Sequence, residues 1–254
     1  MSRPILTPGA LLSEARAFAG SAWRLVEAQH RVSTLKLVGT LAEQALLEQL
    51  IEAQKPPLPA PCRALDYLLS APFRYRPYPT GSRFRAAGMT PGVWYGAEAA
   101  ATAVAEMIFY RLLFYAESPG TAPPDNAADY TAICARIVTP LALDLSVAPL
   151  AAAGDWADLT DYAATQTLAD AAHQAGIGLI RYRSVRDPAR GNNLAVLTCA
   201  AFAQPKPVDR QIWRIRVGRF GGQAIRDADN EGLEYPLAAF TADPRLAPLV
   251  QPSA

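Results

Sequence analysis

The sequence has little net charge and very few histidines. Its 24 basic and 23 acidic residues leave a formal net charge of +1, so no overall field favours nucleic acid, an anionic membrane or an acidic substrate. The two histidines, His30 and His173, have no cysteine or carboxylate at ligand spacing. We therefore expect no metal site, and a Ser-His-Asp mechanism is disfavoured because only two residues could serve as its base.

Cysteine is also scarce, and long apolar runs are missing. The three cysteines are odd in number and far apart, at Cys62, Cys134 and Cys199, without the paired spacing of a zinc site or a disulfide framework. The N-terminus lacks the pattern of a signal peptide, and the most apolar window, residues 99–116, is interrupted by two charges. These absences predict a reducing compartment, the cytoplasm.

What the sequence does contain is enough apolar material for a substantial core, since 51% of its 254 residues are hydrophobic and 19% are charged. Residues 1–20 read as a partly ordered lead-in and residues 21–254 as a single domain. Periodicity and turn residues predict helices at 41–53, 98–115 and 161–175, and strands at 93–95, 130–138, 142–145, 179–181, 194–198 and 212–217. Their irregular order favours an α+β fold over a doubly wound sheet.

Glu106 is the most unusual polar residue, because it lies in the predicted helix 98–115, which is apolar on nearly every side. A buried carboxylate must be paired, hydrogen-bonded, neutralised or open to a cleft. Arg111 is five positions away and points elsewhere on a helix. Local sequence leaves two readings open: a carboxylate at the edge of the core, and a catalytic carboxylate.

Two polar segments flank this helix in the sequence. The loop Gly81-Ser-Arg83-Phe and the strand that includes Tyr95 combine arginine with aromatic residues, which suits pyrophosphate and a flat heterocycle but also fits a solvated basic turn. Ser184 begins a turn rich in Arg, Gly and Asn, which could bind an anion or could merely be a capped hairpin connection.

In combination, these segments resemble the RES domain, which is named for its Arg, Glu and Ser. The resemblance covers about residues 22–200 and matches Arg24 in Ala-Trp-Arg-Leu-Val-Glu, Glu106 in Ala-Val-Ala-Glu-Met, and Ser184 in Arg-Tyr-Arg-Ser-Val-Arg, which precedes a Gly-x-Asn. The interval between Arg24 and Arg83 is longer than in short RES toxins, so Arg31 competes with Arg24 for the first position. This long form is most similar to the ParT-like toxins.

The resemblance implies a fold and a function. The implied fold is an ADP-ribosyltransferase-like α+β domain with a split β-sheet core and surrounding helices. The implied protein is the toxin of a toxin–antitoxin pair, blocked by an Xre-type or ParS-like antitoxin. Such a toxin consumes NAD as its substrate by cleaving the nicotinamide glycosidic bond and transferring ADP-ribose to a protein, with phosphoribosyl pyrophosphate synthetase as one target in the family.

Each candidate residue then has an expected role. Glu106 and Ser184 are the expected catalytic residues, while Arg24 or Arg31, with Arg83, would hold the pyrophosphate and Tyr95 would border the nicotinamide. Two alternatives stay open at this point. One is an NAD glycohydrolase or phosphorylase without a protein target, and the other is a non-enzymatic module that binds a partner.

Overall fold

A computed structural model describes residues 6–27, 37–75, 79, 81–88 and 90–250. The α-helices in these ranges are Pro8–Glu14 (α1), Leu41–Gln54 (α2), Tyr67–Arg74 (α3), Ala100–Glu117 (α4), Ala163–Gln174 (α5) and Ala247–Val250 (α6). The β-strands are Arg16–Glu27 (β1), Trp94–Ala97 (β2), Ala128–Asp144 (β3), Leu179–Arg183 (β4), Asn192–Val196 (β5), Asp209–Gly218 (β6), Gly221–Arg226 (β7) and Gly232–Pro236 (β8). The predicted α+β class is confirmed.

The strands form one sheet in the order β1-β2-β5-β4-β3-β6-β7-β8, with an additional pairing of β1 with β3. Among the described strands, β3 and β4 pair in parallel and the other pairs are antiparallel. The sheet divides into two halves, β1-β3-β6-β7-β8 and β2-β5-β4. They are joined by the pair Trp23 and Ala97 on one side and by Ala142–Asp144 with Leu179–Arg181 on the other. The predicted split sheet is therefore present.

Helices cover each half of the sheet on the side that carries the candidate site. Helix α4 buries its apolar face against the first half, in a cluster that includes Val104, Ile108, Leu112, Ala132, Trp213 and Ile215. Helices α1 and α5 cover the second half, in a cluster that includes Leu11, Leu143, Leu168, Ile180 and Ala195. The Glu106 side of α4 faces the boundary between these two clusters, where Ser184 and Asn193 lie; this boundary is the candidate cleft.

Helix α2 illustrates how local sequence sets the boundaries of an element. The Thr40 side chain accepts from the Glu43 N–H while the Glu43 carboxylate accepts from the Thr40 N–H, which is a capping box. The prolines after Lys55 end the helix. The predicted helix at 41–53 is confirmed at the surface, with Leu46 and Leu50 each 56% exposed. No described helix is both long enough and apolar enough to cross a membrane.

The N-terminal region and the middle strands differ from expectation. The predicted lead-in contains α1, whose Leu11 is buried, and the start of β1, which pairs along its length with β3. Two small residues in β1, Gly20 and Ser21, weaken its strand signal. The strands predicted at 130–138 and 142–145 form one strand, because Pro140 falls where the β1–β3 register shifts and no ladder hydrogen bond is lost.

The cysteine prediction is wrong on one point. Cys62 and Cys199, separated by 137 residues, form a disulfide, while Cys134 is free and buried. The bond joins the 3-10 turn before α3 to the 3-10 turn after β5. Folding brings these distant turns together, so sequence spacing could not reveal the pair. A disulfide is uncommon in the reducing compartment that the cysteine pattern predicted.

A thiol titration tests this bond. Protein purified in air and denatured without reductant should show one reactive thiol, and three after reduction, because only Cys134 is free. Reduction should lower the free energy of unfolding by about 2–4 kcal/mol. Cys62→Ser should remove this sensitivity to reductant, whereas Cys134→Ser should retain it. Three thiols before reduction would show that the bond is absent.

Candidate active site

Glu106 projects from α4 and is partly buried. One oxygen of its carboxylate, Oε1, accepts from Ser184 Oγ at 2.6 Å and from Asn193 Nδ2 at 2.6 Å. The other oxygen, Oε2, accepts no hydrogen bond from any described residue, and it is not an enclosed orphan. The carboxylate is thus fixed through one oxygen and keeps the other available to a ligand.

No cation neutralises Glu106 within the described ranges. Arg111, as predicted, points away from it. The Arg111 guanidinium forms an ion pair with Glu27 and donates from Nε to Tyr130 Oη at 2.9 Å. Glu106 is therefore held by hydrogen bonds and not by an ion pair among the described residues, an arrangement that both readings of this carboxylate allow.

Ser184 directly follows β4 and is 1% exposed. Its hydroxyl donates to Glu106 and accepts from the N–H groups of Arg186, at 3.1 Å, and Asp187, at 2.9 Å. A hydroxyl with this full set of partners has no free lone pair for nucleophilic attack. The geometry makes Ser184 a support for the carboxylate of Glu106.

The turn after Ser184 is locked onto the first turn of α4. Asp187 is 5% exposed, and its Oδ2 accepts from Thr102 Oγ1 at 2.8 Å and from the Gly191 N–H at 3.1 Å. A Cβ at Gly191 would lie 2.1 Å from Thr102 Oγ1, so only glycine fits there. Because Glu106 and Thr102 lie on the same helix, the hydrogen bond between Thr102 and Asp187 fixes the distance between Glu106 and Ser184.

Tyr95 connects β2 to the loop that contains Arg83. Its hydroxyl lies 2.9 Å from Ser82 Oγ and accepts from the Phe84 N–H at 3.0 Å. Burial raises the pKa of Tyr95. The ring of Phe84 packs edge-on against Tyr182, with centroids 4.8 Å apart, so aromatic rings form this side of the site.

Arg83 is 9% exposed and binds backbone oxygens. Its Nη1 donates to the Trp156 carbonyl at 2.9 Å, its Nη2 donates to the Asp158 carbonyl at 2.9 Å, and its guanidinium lies 4.7 Å from the centroid of the Tyr162 ring. In the structure Arg83 therefore binds the segment 156–162 at both ends, through backbone carbonyls and the Tyr162 ring.

Arg24 lies on β1, and its side chain is not on the side of the sheet that α4 covers. Since alternate residues of a strand face opposite sides, and Trp23 and Leu25 pack in the α4 cluster, Arg24 projects from the other face of β1. Its Nη1 donates to the Tyr95 carbonyl at 2.9 Å, and its guanidinium lies 5.7 Å from the Trp94 centroid. The competing candidate, Arg31, and His30 lie outside the described residues.

The charge of Glu106 acts on two further tyrosines that the sequence did not single out. Desolvation, and then the carboxylate of Glu106, raises the pKa of Tyr110 and that of Tyr182. Asn193 was also missed as a partner of Glu106, although it belongs to the Gly-x-Asn part of the motif. Within the described ranges, no three His, Cys, Asp or Glu side chains are grouped to hold a metal ion.

A family model described as the RES domain matches residues 58–217. The chain belongs to the RES domain family. The resemblance drawn from the motifs is confirmed, and the matched range contains Arg83, Tyr95, Glu106 and Ser184 but neither Arg24 nor Arg31. One solved structure similar to this RES-domain chain is the "Crystal structure of the M.tuberculosis MbcT-MbcA toxin-antitoxin complex". It shares 12% identity at a TM-score of 0.45, covering 95% of this chain and 98% of that one. No curated protein matches the sequence.

The environment of Tyr182 predicts how stability changes in alkali. Its pKa is raised well above 10.0 in the folded protein, first by burial, whereas the phenol of the unfolded chain ionises near its ordinary value. Above about pH 10 the unfolded chain therefore binds fewer protons than the folded one. The free energy of unfolding then falls by up to about 1.4 kcal/mol per pH unit for this group.

Tyr182→Phe keeps the ring contact with Phe84 and removes the phenol. We expect urea unfolding to show a shallower loss of stability between about pH 10 and pH 11 in the variant. Equal slopes in the variant and the wild type would contradict the inferred burial of the Tyr182 hydroxyl.

Proposed function

We propose that this RES-domain chain is a toxin that consumes NAD. In this proposal it cleaves the bond between ribose and nicotinamide and passes on ADP-ribose. The observation that carries the proposal is the carboxylate of Glu106, which is fixed through Oε1 by Ser184 and Asn193 and leaves Oε2 open. A carboxylate held in this way suits a reaction in which positive charge develops close to it.

Cleavage of a glycosidic bond builds positive charge at the anomeric carbon as the leaving group departs. A carboxylate already oriented toward that carbon stabilises the charge without reorganising at the moment of reaction. We assign this role to Glu106. Nicotinamide leaves from NAD as a neutral molecule, so a strong general acid is not required, which suits a site without histidine among its described contacts.

The other residues bind and orient in this proposal. Ser184 and Asn193 hold Glu106, and Tyr95 borders the nicotinamide. Arg83 holds the pyrophosphate through charge-assisted hydrogen bonds. Of the two candidates for the second arginine, Arg24 projects from the face of β1 opposite α4, so we propose Arg31 for this role. Two nitrogens of Arg83 donate to backbone carbonyls, and a guanidinium has five N–H groups, so others remain for an anion.

The fate of ADP-ribose separates the candidate reactions. We favour transfer to a protein, for which phosphoribosyl pyrophosphate synthetase is the target suggested by the family resemblance. Incubation with labelled NAD and cell extract should then yield a labelled protein band. Free ADP-ribose or its phosphate would instead indicate hydrolysis or phosphorolysis, and no release of nicotinamide under any condition would indicate a binding module.

An antitoxin partner is part of the proposal. Membership of the RES domain family supports a cognate antitoxin, and the motif resemblance suggests an Xre-type or ParS-like protein that blocks the cleft. We propose the cytoplasm as the location, because NAD is an intracellular substrate. The thiol titration shows whether the Cys62–Cys199 disulfide, which is uncommon in a reducing compartment, is present in the protein.

Glu106→Gln tests the carboxylate directly. The amide keeps the size of the side chain but removes its charge, so nicotinamide release should fall roughly 100-fold or more, about 3 kcal/mol. Glu117→Gln, at the exposed end of the same helix, should keep the wild-type rate. Unchanged nicotinamide release by folded Glu106→Gln protein would refute the assignment.

Ser184→Ala and Asn193→Ala test the support of Oε1. Each removes one hydrogen bond to a charged group, which is worth about 1.5–3 kcal/mol, so turnover should drop roughly 10- to 100-fold. In the Glu106→Gln background the same changes should have little further effect, because the charge they orient is gone. Asn192→Ala, which loses a bond to Glu98 instead, is the control. Equal losses in both backgrounds would show that the two residues act independently of Glu106.

A further inference from the structure

Three arginines from distant parts of the chain converge on one short segment of backbone. Arg83 donates to the carbonyls of Trp156 and Asp158, each at 2.9 Å. Arg186 donates to the Leu159 carbonyl, and Arg245 donates to the same oxygen at 3.2 Å. The segment 156–162 has no helix or strand of its own. Trp156 anchors its start by burial and by donating to the Leu150 carbonyl at 2.7 Å, and the arginine bonds hold the carbonyls of Trp156, Asp158 and Leu159.

Asp243 organises two of these arginines. Its Oδ2 lies 2.6 Å from Arg186 Nη1 and 2.8 Å from Arg245 Nη2, and its Oδ1 accepts from Arg245 Nε at 3.0 Å. The side chains of Arg186 and Asp243 are 3% and 1% exposed. A buried ion pair is tolerated only when its remaining donors and acceptors are satisfied, and here the Leu159 carbonyl and the second arginine satisfy them.

This cluster also contacts the helix that presents Glu106. The Arg186 guanidinium lies 4.1 Å from the centroid of the Phe109 ring, and that of Arg245 lies 5.8 Å from it. Phe109 is fully buried, one turn beyond Glu106 on α4. Asp243 and Arg245 follow the RES match, which ends at residue 217, yet they join α4 to the segment 156–162.

We propose that Asp243 and Arg245 are positioning residues that set the wall of the dinucleotide site. Acting with Arg186, they hold the segment 156–162 against α4, the helix that presents Glu106. This inference rests on the proposed function for its substrate. Its consequence is that loosening the wall weakens substrate binding while Glu106 keeps its own supports, Ser184 and Asn193.

Arg245→Ala is the most informative variant, because the Arg245 side chain is 28% exposed and its removal leaves the Arg186–Asp243 pair intact. Arg214→Ala is the matched control, since Arg214 forms an exposed ion pair with Asp227 at 2.7 Å on the other half of the sheet. Two properties are measured in both variants: hydrogen exchange of the backbone amides in residues 156–162, and KM and kcat for NAD.

In Arg245→Ala we expect exchange in the segment to accelerate about tenfold and KM to rise about tenfold, with kcat nearly unchanged, as for the loss of one hydrogen bond from a charged donor. A purely structural role would reduce the fraction of active protein, which lowers apparent kcat and leaves KM unchanged. Arg245→Lys, which keeps a donor but not the planar fork, should restore part of the wild-type KM. Arg214→Ala should match the wild type in both measurements.

Exchange in Arg245→Ala that is as slow as in the wild type would overturn the inference, and so would an unchanged KM. Should the wild type release no nicotinamide, the proposed function fails, and exchange alone then decides whether Asp243 and Arg245 position the segment. Asp243→Asn serves as a second variant. With its fold verified by circular dichroism, it should accelerate exchange at least as much as Arg245→Ala.

Discussion

Two hydrogen bonds hold Oε1 of Glu106 in place, one from Ser184 Oγ and one from Asn193 Nδ2. They explain how a carboxylate can lie on an otherwise apolar helix. A partly buried charge must be hydrogen-bonded or open to a cleft. Oε1 is hydrogen-bonded, and Oε2 is left open. Both donors come from the second half of the split sheet, whereas Glu106 comes from the helix that covers the first half. The site therefore exists only when the two halves are correctly apposed.

Much of the surrounding structure maintains this apposition. Asp187 binds Thr102 at the start of α4, and Arg186 spans from Phe109 on α4 to Asp243 near the C-terminal end. Arg83 binds the segment 156–162 from the opposite direction. Basic groups near the cleft are thus engaged by backbone carbonyls or one buried aspartate, and none of them pairs with Glu106 in the described ranges, which keeps its negative charge available.

The sequence was informative where chemistry and local pattern coincide. Glu106 stood out because it interrupts an apolar helix, and Ser184 because it begins a polar turn after a strand. Helix α2 was predicted from leucines at helical spacing, and α4 from a long apolar run. Long-range partners could not be predicted. The oxygens bound by Arg83 belong to residues 73 and 75 positions away, and Cys62 meets Cys199 across 137 residues. Asn193 was visible within the motif, but only the register of β5 against β4 directs it to Glu106.

The most direct test is a crystal structure of the Glu106→Gln protein with NAD bound. We predict that the anomeric carbon of the nicotinamide ribose lies beside the free end of the substituted side chain, with Ser184 and Asn193 still holding the opposite side of that group. The prediction is contradicted if the dinucleotide is ordered but its nicotinamide ribose lies away from position 106, while the substituted side chain keeps the place described for Glu106.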